Sequence, residues 1–195
     1  MIFQDAPVRR IDCVEVVDAR ARASRRNLRY RLAVLAGSTE EAVRAAGGLI
    51  CDRALNGWDV TVVAATLGDL RALQVVGADV VELDAALAGP NSGPAPHALA
   101  ISAQLCRADE RVRAGLLDTI KTGRTEVTVW GDMPPSELGG QLTVVQHQLT
   151  IAAMAFKSQA LGALDAADSM DRTEVFGMGP VVGRRPWPQD LAPAS

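Results

Sequence analysis

The chain has 195 residues, 48% of them hydrophobic but only 4% aromatic, which suits one domain with extensions and a core of Ala, Val, Leu and Ile. No apolar run approaches the roughly 20 residues of a membrane-spanning helix, and the opening MIFQDAPVRR has no apolar signal segment, so the expectation is a cytoplasmic protein without a membrane partner. The net charge of −3 is uneven: residues 1–31 hold eight Arg against four acids, giving +4 and leaving −7 for the rest, the pattern of a basic arm on an acidic body.

In chain order, Ile11–Val17 is a candidate edge strand, followed by the basic stretch ARARASRRNLRYR. Leu32–Ala36 is the first clear strand. Ser38 or Thr39 caps the helix that follows, and Glu40 and Glu41 sit in its first turn, where the helix dipole favours anions. That helix runs to about Leu55 and stops at Asn56-Gly57. Asp59–Ala64 is the second strand, Leu67–Val76 a short helix and Asp79–Leu83 the third strand, an alternation that predicts parallel pairing. Residues 86–97 read as a Pro/Gly-rich loop, Ala98–Lys121 as a long helix and Glu126–Trp130 as the fourth strand. The longest helix is expected from Ser136 to about Leu164. Its apolar face is wide enough to be buried on two sides, by the chain's own tail or by a second subunit, and a homodimer is the favoured expectation. A fifth strand is expected at Thr173–Phe176 or Val181–Val182, and Trp187 is expected to pin the tail to the body.

These elements predict an α/β three-layer sandwich of four to five mainly parallel strands, Rossmann-like or flavodoxin-like. Residues 1–28 form a basic N-terminal arm, 29–165 the α/β domain and 166–195 a Gly/Pro-rich tail packing on it. The preference for Arg, with Lys only at 121 and 157, points to a GC-rich, actinobacteria-like genome.

In open parallel sheets ligands bind beyond the carboxyl ends of the strands. That rule selects Gly37, Ser38, Thr39, Thr66, Asp84 and Asp132 as candidate ligand-binding residues. Backbone N–H groups at Gly37–Thr39, together with two hydroxyls, could hold a phosphate or carboxylate; the same Ser and Thr are also ordinary helix caps. Arg20, Arg22, Arg25 and Arg26 are the candidate contacts of the arm with an anionic partner, nucleic acid included. His97, in the loop near the presumed site face, is the better general-base candidate, and His147 reads as a helix surface or interface residue. Cys13, Cys51 and Cys106 are scattered, which argues against a disulfide framework and against a His/Cys metal cluster.

Two segments resemble known families. DLRALQVVGADVVELDAALAG is similar to the part of response-regulator receivers that ends in the phospho-acceptor aspartate, which the resemblance places at Asp84; AGST stands where receivers have acidic metal-binding residues. The strand–AGST–helix–GWDVTVV opening resembles flavin-dependent decarboxylases and related flavodoxin-like proteins, which implies a flavin phosphate in the first turn. The chain contains no GxGxxG after strand one, no P-loop, no GxSxG and no HExxH. No catalytic residue, metal or cofactor is therefore assigned, and the expected function is a non-catalytic regulatory or small-ligand-binding protein, possessing at most a degenerate receiver. The alternatives are a flavin- or nucleotide-dependent enzyme with its phosphate at Gly37–Thr39 and Asp84 or Asp132 as acid/base, and an interaction protein acting through its last helix and tail.

Overall fold

The computed structural model describes residues 29–88, 95–132, 142–164, 171–179 and 191–193. Its strands are β1 (Arg31–Ser38), β2 (Asp59–Thr66), β3 (Asp79–Glu82), β4 (Ala98–Ser102), β5 (Glu126–Trp130), β6 (Thr143–Gln148), β7 (Thr173–Met178) and β8 (Leu191–Pro193). They form one eight-stranded sheet in the order β3-β2-β1-β4-β5-β7-β6-β8. The first five in that order pair in parallel, whereas β7, β6 and β8 pair antiparallel. The expected α/β class holds, but the sheet is mixed and has eight strands in place of four to five mainly parallel ones.

The helices are α1 (Thr39–Leu55), α2 (Arg71–Val75), α3 (Leu83–Ala88), α4 (Ala103–Ala108), α5 (Glu110–Thr122) and α6 (Ile151–Ala163). α1, α2 and α6 share one apolar cluster with alternate residues of the sheet, including Leu49, Ile50, Leu73 and Phe176. α3, α4 and α5 share a second cluster that contains Leu83, Leu105, Val112 and Leu116. The strand sequence explains the two layers: β1 and β2 alternate half-buried and buried residues, and β4, flanked by β1 and β5, is buried at all five positions.

That burial corrects the long helix expected from Ala98. ALAIS is a continuous apolar run, the signature of a strand covered on both faces, and its Ala and Leu suit a helix equally well by composition. The long helix expected from Ser136 is also corrected. Thr143–Gln148 alternates as a strand, with Val145 and His147 inward and Val144 and Gln148 outward, and helix α6 starts only at Ile151 behind its Thr150 cap. Thr173–Phe176 is a strand as expected, and it lies between β5 and β6. Ile11–Val17, Val181–Val182 and Trp187 lie outside the described residues. Among the described residues, no helix is long and apolar enough to cross a membrane.

A buried polar network ties the antiparallel half to α1. Glu174 on β7 accepts from the backbone N–H of Gly48 (2.7 Å) and Leu49 (2.9 Å). Lys157 on α6 binds Glu174 at 2.7 Å and donates to the Arg44 carbonyl at 2.8 Å, so an ion pair stands beside one turn of α1 and serves its backbone. Glycine at 48 is required by this packing, because a Cβ there would lie 2.3 Å from Leu149 Cγ. One turn further on, Asp52 accepts from Thr150 N (3.2 Å) and Thr150 Oγ1 (2.5 Å) and meets His147 Nε2 at 2.9 Å. Burial, and then the carboxylates of Asp52 and Glu174, push the Cys51 thiol up to about 11.

Candidate active site at the switch point

Strand order locates the site. From β1 the sheet grows one way to β2 and β3 and then resumes on the other side at β4 and β5, so the order reverses between β1 and β4. Connections leaving those two strands diverge to opposite faces, and in open α/β sheets the ligand crevice lies beyond the carboxyl ends at that point. The residues delivered there are Gly37 and Ser38 from β1, Ser102 from β4, and Trp130, Gly131 and Asp132 from β5 and its turn.

The first turn of α1 is already satisfied from within. Ser38 Oγ accepts from Glu41 N at 3.1 Å, an N-terminal cap. Glu41 folds back, and its Oε2 accepts from Gly37 N at 2.8 Å while its Oε1 accepts from Trp130 Nε1 at 3.0 Å. A Cβ at Gly37 would lie 2.9 Å from Glu41 Oε2, so glycine makes room for the carboxylate. Thr39, buried, accepts from Gly68 N at 3.0 Å and secures the loop after β2.

This geometry corrects the phosphate cradle expected at Gly37–Thr39. The Gly37 donor is engaged by Glu41, a negative charge occupies the place meant for a flavin or nucleotide phosphate, and Thr39 serves a neighbouring loop. Of the other candidates, Thr66 is exposed and stands in register with Ser38. Asp132 lies at the rim, its carbonyl accepting from Arg107. Asp84 is drawn away to the start of α5, where Arg111 bonds it at 2.9 Å and also holds Asp109. Hydrogen bonds from Arg111 keep Asp109 down at about 2, with the backbone N–H groups of Arg111 and Val112 adding to the effect. A surface aspartate fixed in that way does not fit the receiver resemblance.

Neither histidine reaches the crevice. His97 precedes β4, at the opposite edge of the sheet, with its Nδ1 accepting from Arg31 N at 3.1 Å. His147 is buried in a strand beside Asp52, contrary to the surface or interface role expected for it. Arg20, Arg22, Arg25 and Arg26 lie outside the described residues. Sequence reasoning missed Glu41 and Trp130 as site residues. Glu41 reads as an ordinary first-turn acid, and its spacing of four from Gly37 is the one local signal of a backbone contact.

No protein-family model matches the chain, and no curated protein matches it in sequence. Solved structures do match its fold. A triple mutant of a deacetylase of teicoplanin biosynthesis is similar at 13% identity and a TM-score of 0.55, over 80% of this chain and 100% of that one. The zinc-inhibited form of teicoplanin deacetylase is similar at 12% identity and 0.54, over 80% and 100%. The A40926 pseudoaglycone deacetylase is similar at 14% identity and 0.50, over 77% and 97%. The expectation of a non-catalytic regulatory or ligand-binding protein is corrected on this ground, since these three solved chains are deacetylases by name. Among the described residues, no group of three or more His, Cys, Asp or Glu side chains could hold a metal ion.

Proposed function

We propose that the chain is an enzyme that hydrolyses an uncharged N-acyl group at the β1/β4 switch point, with Glu41 as general base. The observation that carries this reading is the Glu41 carboxylate, fixed at the crevice by Gly37 N and Trp130 Nε1. Each of its oxygens has a further lone pair with which to accept a proton from water. The water oxygen bonds to the acyl carbon, the carbon–nitrogen bond breaks, and Glu41 returns the proton to the departing amine. A carboxylate at the α1 N-terminus disfavours an anionic substrate, which supports an uncharged amide. The names of the solved relatives, deacetylases, support the same reaction class.

The test is release of primary amine from a panel of N-acetylated sugars and amino-acid amides. Release from one member, dependent on enzyme concentration, is expected; release from none overturns the reading.

Two further expectations fit this reading. The exposed face of α6 is uncharged, with Ile151 at 84% exposure and Lys157 turned inward, which favours a homodimer through that helix. Light scattering checks it, and a monomer mass at every concentration refutes it. Cys51 is a free, buried thiol, which suits a reducing, cytoplasmic setting.

A further inference from the structure

The loop that follows β2 lies against the helix that carries Glu41. Thr66 pairs with Ser38 in the sheet, and Gly68 N donates to Thr39 Oγ1 at 3.0 Å. A Cβ at Gly68 would stand 3.0 Å from the same oxygen, so the loop backbone comes directly up to the first turn of α1. On either side of Gly68 the chain exposes a leucine, Leu67 at 44% and Leu70 at 39%.

Helix α6 reaches the same end of the molecule. Asp52 meets Thr150 and the Arg44 carbonyl meets Lys157, so α6 runs antiparallel to α1. Its end at Leu164, half-buried against the same apolar cluster as Leu73, stands level with the start of α1.

The charges around this end are neutralised locally. Glu40 pairs with Arg44 at 3.0 Å, and Asp69, between the two leucines, pairs with Arg71 at 2.6 Å. A single exposed leucine is ordinary on a protein surface. Two of them on one short loop, pinned by its backbone to the first turn of α1, offer an apolar wall on which a ligand can withdraw hydrocarbon from water.

We propose that this wall seats the acyl chain of the substrate, so that the amide cut is one of a medium-length or long aliphatic acyl group. The inference rests on the hydrolytic reading of Glu41 and names the acyl class that reading leaves open. Neighbouring strands lie about 5 Å apart. Leu67 and Leu70, on the β2 side of β1, therefore lie roughly one to two strand spacings from a carbonyl carbon held at Glu41. An acetyl group ends one carbon past its carbonyl and stops short of them, whereas a hexanoyl or octanoyl chain reaches the wall. Water adds to the acyl carbon, the carbon–nitrogen bond breaks, the amine takes the proton held by Glu41, and the chain leaves as a carboxylic acid.

Release of primary amine from N-acetyl, N-butanoyl, N-hexanoyl and N-octanoyl glucosamine, and from the same series on glycinamide, tests the inference. The value of kcat/KM is expected to rise about two- to fourfold for each methylene added up to hexanoyl, which places hexanoyl more than about tenfold above acetyl. The double variant Leu67→Ser, Leu70→Ser is expected to cut the hexanoyl-to-acetyl ratio by about fivefold or more. Because both rates are read on the same protein, a general loss of folded enzyme lowers both and leaves the ratio alone. A wild-type ratio within about twofold of unity overturns the inference while the Glu41 reading stands. A high ratio that the double variant retains overturns it as well, since the chain then sits elsewhere. Amine release from no member of either series removes both the inference and the reading on which it rests.

Discussion

Lys157→Met is the most informative perturbation of the scaffold. Lys157 Nζ lies 2.7 Å from Glu174 Oε1 and 2.8 Å from the Arg44 carbonyl, and both charged side chains are buried. Methionine fills a similar volume but leaves Glu174 charged in the interior, with only the N–H groups of Gly48 and Leu49 as partners. Breaking a buried pair by removing one partner costs about 3–5 kcal/mol. For a chain of this size 1 kcal/mol corresponds to roughly 2–4 °C, so the melting temperature should fall by about 6–20 °C. Adding Glu174→Gln removes the orphaned charge, and its amide oxygen can still accept from Gly48 N; the double variant should recover more than half of the loss. Urea and thermal unfolding followed by circular dichroism at one pH measure the wild type, both single variants and the double variant. A loss below about 1 kcal/mol for Lys157→Met, the scale of a surface pair, would refute the account of a buried pair. So would a double variant whose cost equals the sum of the two singles.

Gly48→Ala forces a Cβ toward Leu149, and overpacking of this kind should cost about 1–3 kcal/mol in urea unfolding. Cys51, buried and with its thiol pushed up to about 11, should resist iodoacetamide at neutral pH while native and react fully once unfolded, as mass spectrometry will report. Because its folded value lies above its unfolded one, its contribution to stability is intact below about pH 9 and is lost as pH rises through about 11. Trp130→Phe removes one of the two donors on Glu41, and should lower the turnover of amine release while leaving the melting temperature within a few degrees.

Strands β1, β2, β3 and β5 and helix α1 were legible because each of them announces itself locally. Ser38 caps α1 as its position suggests, and Gly57, at φ 83°, provides the left-handed turn that ends it. In the antiparallel half, β6 was not legible. Leu142, Val145 and Leu149 repeat at helical spacing, yet Val145 and His147 are the inward residues of a strand, and the two periods coincide over so short a run. ALAIS failed for a related reason: burial on both faces erases the alternation that marks a strand.

The rule that ligands gather beyond strand ends selected Gly37 and Ser38, which stand at the carboxyl end of β1 beside the reversal of strand order. It could not show that Glu41 turns back onto Gly37, because that depends on Trp130, 89 residues away, offering the second donor. Nor could it show that Asp84 is claimed by Arg111 across the sheet face.

The hydrolytic role of Glu41 is tested most directly by the turnover number of Glu41→Gln for amine release from the N-acetylated substrate that the wild-type chain accepts. Glutamine preserves the shape of the side chain but cannot take a proton from water, so the account predicts a fall of about 100- to 10,000-fold with folding unchanged. A turnover within about twofold of wild type would show that the carboxylate at the switch point is not the base.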